Sequence, residues 1–127
     1  MMEKDIDNMS SKNDIYHRFI LELTPGDYCE EATDDRITDC LNLIWEAREK
    51  YCLKLTDNEP EGVRYILVKN MVGSKVKEYL VEIELSGGKY RKFFKDEDII
   101  MEILWNYIDD ERLPDLSDWM DVSDEIQ

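Results

Sequence analysis

The chain offers few side chains that could perform catalysis. His17 is the only histidine among the 127 residues, so any Ser/His/Asp, Cys/His or histidine-based metal site would have to include it. It lies in an alternating apolar pattern, which favours a structural or surface histidine. Asp57, Glu59 and Glu61 have the spacing of calcium ligands, but Val68 stands where a calcium loop needs its last, bidentate carboxylate. We predict no catalytic residues, no cofactor and no metal site, with weak divalent-ion binding left open.

Carboxylates at regular spacing suggest a different chemistry, the recognition of a basic surface. The clearest predicted helix has a ridge of polar side chains at steps of 4, 3, 4 and 3: Asp35, Asp39, Asn42, Glu46 and Glu49. Near the C-terminus, an aspartate recurs at every third residue around an aromatic side chain: Asp115, Asp118, Trp119, Asp121 and Asp124. The ridge is either a solvated face or a row of carboxylates for a basic groove. The C-terminal segment is either an amphipathic helix docked on the domain or a recognition peptide anchored by its tryptophan.

The charge of the chain is unevenly distributed. Residues 1–62 carry 16 acids and 7 bases, residues 63–95 carry 3 acids and 8 bases, and residues 96–127 carry 12 acids and 1 base, for a formal net charge of −15. Charge of this size bears on partners and solubility rather than on fold. The basic middle either neutralises the acidic parts within the fold or forms one pole of a dipolar surface.

Hydrophobic periodicity predicts an α+β fold, β-α-β-β-β-α, with the helices packed on one face of a small antiparallel sheet and an acidic C-terminal tail. The predicted elements are a strand over Ile15–Leu23, a helix from Asp27 or Thr33 to Lys54, strands over Val63–Val72, Lys77–Leu85 and Lys89–Lys95, and a helix that Asp96 caps and Leu113-Pro114 ends. The glycines of Ser86-Gly87-Gly88-Lys89 permit the positive φ angles of a tight hairpin turn. That hairpin would set Glu84 opposite Arg91, Leu85 opposite Tyr90 and Ile83 opposite Lys92.

The pattern divides the chain into a disordered lead (residues 1–13), a single α+β domain (14–112) and an acidic tail (113–127) with Trp119 and Met120 as its anchor. No apolar run reaches the ~18 residues of a membrane span, and the start lacks the pattern of a signal peptide. The three cysteines show no C-x-x-C spacing. We therefore expect a cytoplasmic protein with reduced thiols and no membrane contact, and the sequence leaves its oligomeric state open.

The predicted order of helix, three strands and helix, over roughly residues 33–109, resembles a double-stranded RNA-binding domain. That family places a lysine cluster at the start of its final helix to bind phosphates. Here the corresponding residues are Lys95-Asp96-Glu97-Asp98, one base and three acids, which would repel phosphate. The resemblance implies an architecture, and the charges argue against RNA binding by that mode.

In size, acidity and general architecture the chain resembles the small acidic DNA mimics of phages and mobile elements, such as anti-restriction and anti-CRISPR proteins, and also nuclease immunity proteins. No motif carries this resemblance. It implies a non-catalytic inhibitor that binds a basic surface of a nuclease or another nucleic-acid-binding protein, without binding nucleic acid itself. The alternative is a small adaptor or regulatory protein that binds its partner through the tail or a helix, with acidity serving only solubility.

Overall fold

The structure, a computed structural model, describes residues 18–24, 28–59, 62–73 and 75–125 and has an α+β fold. The lead at residues 1–13, His17 and Glu61 lie outside this described part. The elements, in chain order, are β1 (Phe19–Thr24), β2 (Tyr28–Glu31), α1 (Asp34–Glu46), β3 (Cys52–Asp57), β4 (Val63–Asn70), β5 (Tyr79–Leu85), β6 (Gly88–Phe94), α2 (Glu97–Asp110), β7 (Met120–Asp121) and a 3-10 turn (Ser123–Glu125).

The strands form one antiparallel sheet in the order β2-β1-β3-β4-β5-β6-β7. Both helices cover the same face of it. Trp45 of α1 packs edge-on against Tyr79 of β5, with ring centroids 4.6 Å apart, and Tyr107 of α2 packs against Phe19 of β1 at 5.7 Å. Tyr79 also donates a hydrogen bond to Glu97, at the start of α2. The end of α1 and the start of α2 therefore meet near Tyr79, so the two helices run antiparallel.

The hydrophobic core lies between the helices and this face of the sheet. Strand residues alternate between the core and the other face because successive side chains of a strand point to opposite sides. In β3, for example, Leu53 and Leu55 are 1% exposed while Cys52 and Lys54 are half-buried on the other side. The core side chains of the strands are Leu21, Leu23, Leu53, Leu55, Ile66, Val68, Tyr79, Val81 and Ile83. The opposite face of the sheet, here called the open face, is covered by no helix of the described part.

Asp57 is a charged residue at the edge of this core, with its side chain 1% exposed. Arg18 binds it with two hydrogen bonds, Nε to Oδ1 at 3.0 Å and Nη2 to Oδ2 at 3.1 Å. The Tyr107 hydroxyl and the backbone N–H of Glu59 also donate to it. Arg18 reaches on to Glu111, just beyond α2. The cluster ties β1, β3 and the end of α2 together.

The predicted topology was wrong in three places, because strands β2, β3 and β7 were missed. Four strands, rather than three, separate the two helices, so the order shared with double-stranded RNA-binding domains is also wrong. The first helix ends at Glu46 instead of reaching Lys54. Asn70 stabilises the chain after α1: its side chain accepts from the Tyr51 N–H and donates to the Glu49 carbonyl, each at 2.8 Å. This contact reaches across about twenty residues, so local periodicity could not signal it.

The hairpin between β5 and β6 exists, but the predicted register was wrong by two residues. Glu82 pairs with Arg91 and Ile83 pairs with Tyr90, so the unfavourable Ile83–Lys92 pair does not form. The turn residues are Ser86 and Gly87, and neither has a positive φ. Gly88 is required for space rather than for its backbone conformation, because a Cβ there would approach Ser123 Oγ and the Tyr90 ring to 3.0 Å.

Both helix caps agree with the sequence. Thr33 caps α1 and Asp96 caps α2, each accepting a hydrogen bond from a backbone N–H of the first turn. The second helix ends at Asp110, followed by Glu111 in the left-handed conformation with φ 56°. The chain then returns along β6 and pairs with it, Arg91 with Met120 and Tyr90 with Asp121.

Candidate functional site

Helix α1 presents a row of acidic side chains directly away from the sheet. Its buried side chains include Ile37, Leu41 and Ile44, each at most 1% exposed. At 3.6 residues per turn, the opposite side of the helix carries positions 35, 39, 42 and 46. All four, Asp35, Asp39, Asn42 and Glu46, are exposed. The predicted ridge is therefore solvent-facing over the helix, while Glu49 lies beyond the helix end.

Helix α2 carries a second row with the same spacing, which our sequence reasoning missed. Positions 98, 102, 105 and 109 repeat the steps of 4, 3 and 4 and lie opposite the buried Ile100, Ile103, Leu104 and Tyr107. Asp98, Glu102 and Asp109 are exposed, and Trp105 lies partly buried between them. The spacing of these positions was present in the sequence. It was missed because the many apolar residues of this segment were interpreted only as a buried face.

Because both helices pack on the same face of the sheet, the two rows point in the same direction. Together they form one surface, here called the acidic helix face, with six carboxylates: Asp35, Asp39, Glu46, Asp98, Glu102 and Asp109. Within the described residues, no ion pair involves any of the six. Acids at the margins are different, since Glu97, Glu111 and Asp118 pair with Lys77, Arg18 and Lys92 respectively.

The linear charge density of this surface approaches that of a nucleic acid. Each row extends over twelve residues, and the eleven steps between its ends span about 16 Å at a helical rise of about 1.5 Å per residue. Six carboxylates over that length amount to roughly one charge per 3 Å, against about 1.7 Å of axis per charge in double-stranded DNA. Like charges on a helix at i,i+4 cost a few tenths of a kcal/mol each, so the arrangement opposes folding slightly.

The C-terminal aspartates have mostly local roles. Asp115 accepts from the Ser117 N–H at 3.0 Å and Asp121 accepts from the Ser123 N–H at 2.9 Å, which are the side-chain-to-backbone bonds of Asx turns. Hydrogen bonds from Ser117, chiefly its N–H, hold the pKa of Asp115 below its usual range, and those from Ser123, chiefly its hydroxyl, do the same for Asp121. Asp118 pairs with Lys92 at 2.6 Å. Asp124 is exposed.

Trp119 and Met120, the predicted anchor, separate in the structure. Trp119 is 8% exposed and packs edge-on against Phe94, with ring centroids 5.6 Å apart. Met120 is 55% exposed on the other side of the sheet. The tryptophan therefore belongs to the core of this domain. Two of the four regularly spaced aspartates, Asp115 and Asp121, form Asp-x-Ser turns on either side of that docked side chain.

Other chemistry is sparse in the part of the chain that the structure describes. No group of three or more His, Cys, Asp or Glu side chains there is arranged to hold a metal ion. Cys40 is buried and Cys52 half-buried, neither of them in a disulfide, and burial raises the pKa of Cys52. No described helix is long and apolar enough to cross a membrane.

Comparison with protein families, with curated proteins and with solved structures finds no match for this chain.

Proposed function

We propose that this protein is a non-catalytic binding protein whose acidic helix face occupies a basic, nucleic-acid-binding surface of another protein. The observation that carries the proposal is the common direction of the two helical rows. Six carboxylates on one rigid surface offer a partner's lysines and arginines what a phosphate backbone offers them. The partner would be a nuclease, a polymerase or a protein of similar chemistry.

Mimicry of a phosphate backbone would also explain why the two helices contain few basic residues. A surface that competes with DNA gains from carboxylates that are not neutralised internally, because each internal ion pair would remove one charge from recognition. Long-range attraction between an acidic face and a basic groove raises the association rate. Nucleic acid itself would be repelled by the helix face, so the proposal excludes direct nucleic-acid binding there.

One version of the adaptor alternative uses the tail as a free recognition peptide, and the other uses a helix. The burial of Trp119 and the local hydrogen bonds of Asp115 and Asp121 do not favour the tail version. Tail-mediated binding is therefore not part of the proposal. Of the predicted partner-binding residues in the C-terminal segment, only Asp118 and Asp124, both exposed at the edge of the molecule, remain candidates for contact with a partner.

The proposal can be tested by immobilising the full chain and passing an extract of its source organism over it. Bound proteins are eluted first with a short DNA duplex and then with rising salt. We expect a protein with a nucleic-acid-binding surface, released by the duplex and by moderate salt. A captured partner that the duplex does not displace and that stays bound at high salt would contradict mimicry and support a neutral, adaptor-type contact.

A further inference from the structure

A cavity of about 400 Å³ lies at one end of the sheet, where β1 and β4 stop and β3 begins. Strand pairing places Thr24, Cys52 and Lys69 side by side there, in the order β1, β3 and β4. The chain that enters β3 and the chain that leaves β4 line the cavity, which is partly open to solvent. Sites for small molecules commonly have volumes of about 300–1,000 Å³, so this cavity has room for a ligand.

Hydrogen bonds hold the two lining segments together. The Asn70 side chain accepts from the Tyr51 N–H and donates to the Glu49 carbonyl, each at 2.8 Å. The Asn70 N–H donates to the Tyr51 carbonyl at 3.4 Å, and the Met71 N–H donates to the Glu78 carbonyl at 3.0 Å. Because these bonds form within the protein, a ligand would enter a cavity whose shape is already set, and binding would cost little ordering of the chain.

The charge of this cavity is opposite to that of the molecule. The charged residues among its described lining are two lysines, Lys50 and Lys69, although the chain carries 31 acids. Both lysines are exposed, and within the described part of the chain neither forms an ion pair. Two ammonium groups are therefore available to an anion in the cavity.

Cys52, which also lines the cavity, shows the sign of the local potential. Burial raises the pKa of its thiol. Among the charges that act on the thiol, Lys69 and Lys54 favour the thiolate, each more strongly than Glu82 or Glu22 opposes it. The charged groups around Cys52 therefore produce a positive potential, which agrees with the lysines of the lining.

The rest of the lining is largely apolar. Met71 and Val72 supply aliphatic surface, and Val72 is 47% exposed. Tyr51 adds a half-buried aromatic ring. A ligand that covers these side chains would remove apolar area from water, which favours binding. An apolar lining with a few charged groups is the usual composition of a site for a small molecule.

We propose that this cavity binds a small organic anion, an apolar body with one phosphate or carboxylate group held by the ammonium groups of Lys50 and Lys69. The apolar body would lie against Tyr51, Met71 and Val72. Hydrogen bonds between ionised donors and acceptors are stronger than neutral ones, and a phosphate monoester brings up to two negative charges to the lysines. This proposal stands independently of the proposed function, which uses the acidic helix face.

Titration of the full chain with naphthyl phosphate, followed by two-dimensional NMR of the backbone amides, tests the proposal. At the usual affinity per non-hydrogen atom, a probe of this size should bind with a dissociation constant on the order of 0.1–1 mM. We expect the largest shifts at Tyr51, Cys52, Lys69 and Val72. Naphthylmethanol, which lacks the charge, and inorganic phosphate, which lacks the apolar body, should each bind at least about fivefold more weakly.

Lys69→Gln and the double variant Lys50→Gln/Lys69→Gln remove the cations at exposed positions, and Lys95→Gln is the matched control. Lys95 is also exposed and lies outside the lining of the cavity. We expect Lys69→Gln to weaken binding of naphthyl phosphate about threefold to fivefold, and the double variant about tenfold or more. Lys95→Gln should change it by less than about twofold.

Four results would overturn the proposal. They are the absence of saturable shifts at millimolar naphthyl phosphate, shifts that spread over the surface instead of concentrating at the cavity, inorganic phosphate that binds as tightly as naphthyl phosphate, and equal losses of affinity in Lys69→Gln and Lys95→Gln. The last two would mean that surface lysines attract anions without a site. An unchanged urea midpoint of the double variant shows that its loss of affinity does not come from unfolding.

Discussion

At the residue scale, Asp57 shows how this very acidic chain keeps a charge inside its fold. Burial alone would raise the pKa of this carboxyl, but hydrogen bonds from Arg18, Tyr107 and the Glu59 N–H outweigh it and hold the pKa below its usual value. A buried charge with several donors is strongly destabilising when it loses them. The cluster joins β1, β3 and the end of α2, so its loss would loosen three elements together.

The first prediction concerns Asp57→Asn. The folded-state pKa lies below that of the unfolded chain, so the carboxylate's contribution is present at neutral pH and is lost as the pH falls below about 4. We expect the variant to lose roughly 3 kcal/mol of unfolding free energy at pH 7, with a flatter pH dependence than the wild type between about pH 5 and pH 2. Urea unfolding at several pH values measures both. An equally steep decline in the variant would assign the acid sensitivity to other carboxyls.

The second prediction separates the two glycines of the β5–β6 hairpin. A Cβ on Gly88 would meet Ser123 Oγ and two atoms of Tyr90 at 3.0 Å, whereas nothing lies within 4 Å of one on Gly87. Gly88→Ala should therefore destabilise the fold by about 1–2 kcal/mol through forced shifts of those side chains. Gly87→Ala should stay within about 0.5 kcal/mol. Equal effects in thermal or urea unfolding would mean that the C-terminal segment does not pack against this turn.

At the scale of elements, the strongly amphipathic and capped helices were predictable, and so were the three strands from β4 to β6. The strand β3 was not, because Cys52 continues the helical spacing of Leu41 and Ile44 and so resembles one more turn of α1. The helix ends at Glu46, where Ala47 is extended, and the chain that follows is held by Asn70, far along the sequence. The face formed by both helices was only half predicted: the α1 ridge was recognised, but the equal spacing on α2 was not.

In the C-terminal segment, the regular spacing of the aspartates did not by itself predict one conformation. An aspartate at every third residue fits a recognition peptide, a short helix or successive turns, and only the serines at positions 117 and 123 distinguish the last. Trp119 then decides where the segment lies, since its buried ring packs against Phe94. The segment therefore lies along the β6 edge of the domain.

The third prediction is that Trp119→Ala acts on stability. Truncating a buried tryptophan costs about 3–5 kcal/mol, so the variant's urea midpoint should fall sharply or the chain should fail to fold at 37 °C. Met120→Ala is the matched control, because Met120 is 55% exposed and should change stability by less than about 0.5 kcal/mol. A Trp119→Ala variant that is stable but no longer binds the partner would instead support the prediction that the tail anchors the protein to its partner.

At the scale of the whole molecule, the charge of −15 is arranged in layers. The outer side of the helix layer carries the six carboxylates of the acidic helix face. Along β1 and β3 to β6, the open face on the other side of the sheet carries four bases and three acids, and two of the bases, Lys89 and Arg91, pair with Glu82. Of the eight bases in residues 63–95, five lie in β4 and β6, whereas nine of the 28 acids in the two flanks lie in the helices.

The acidic helix face is the surface proposed to bind the partner. The most direct measurement compares dissociation constants for the captured partner between the wild type and two variants with four acids neutralised. The helix-face variant is Asp39→Asn, Glu46→Gln, Glu102→Gln and Asp109→Asn. The control variant carries the same loss of charge elsewhere: Glu49→Gln, Glu59→Gln, Glu78→Gln and Asp124→Asn.

Four exposed ion pairs at about 0.5 kcal/mol each correspond to roughly 30-fold in affinity. We predict a loss of that size for the helix-face variant, together with a weaker salt dependence, and a change of less than about threefold for the control. Equal losses in both variants would mean that only the bulk charge matters. Unchanged affinity in the helix-face variant would contradict the claim.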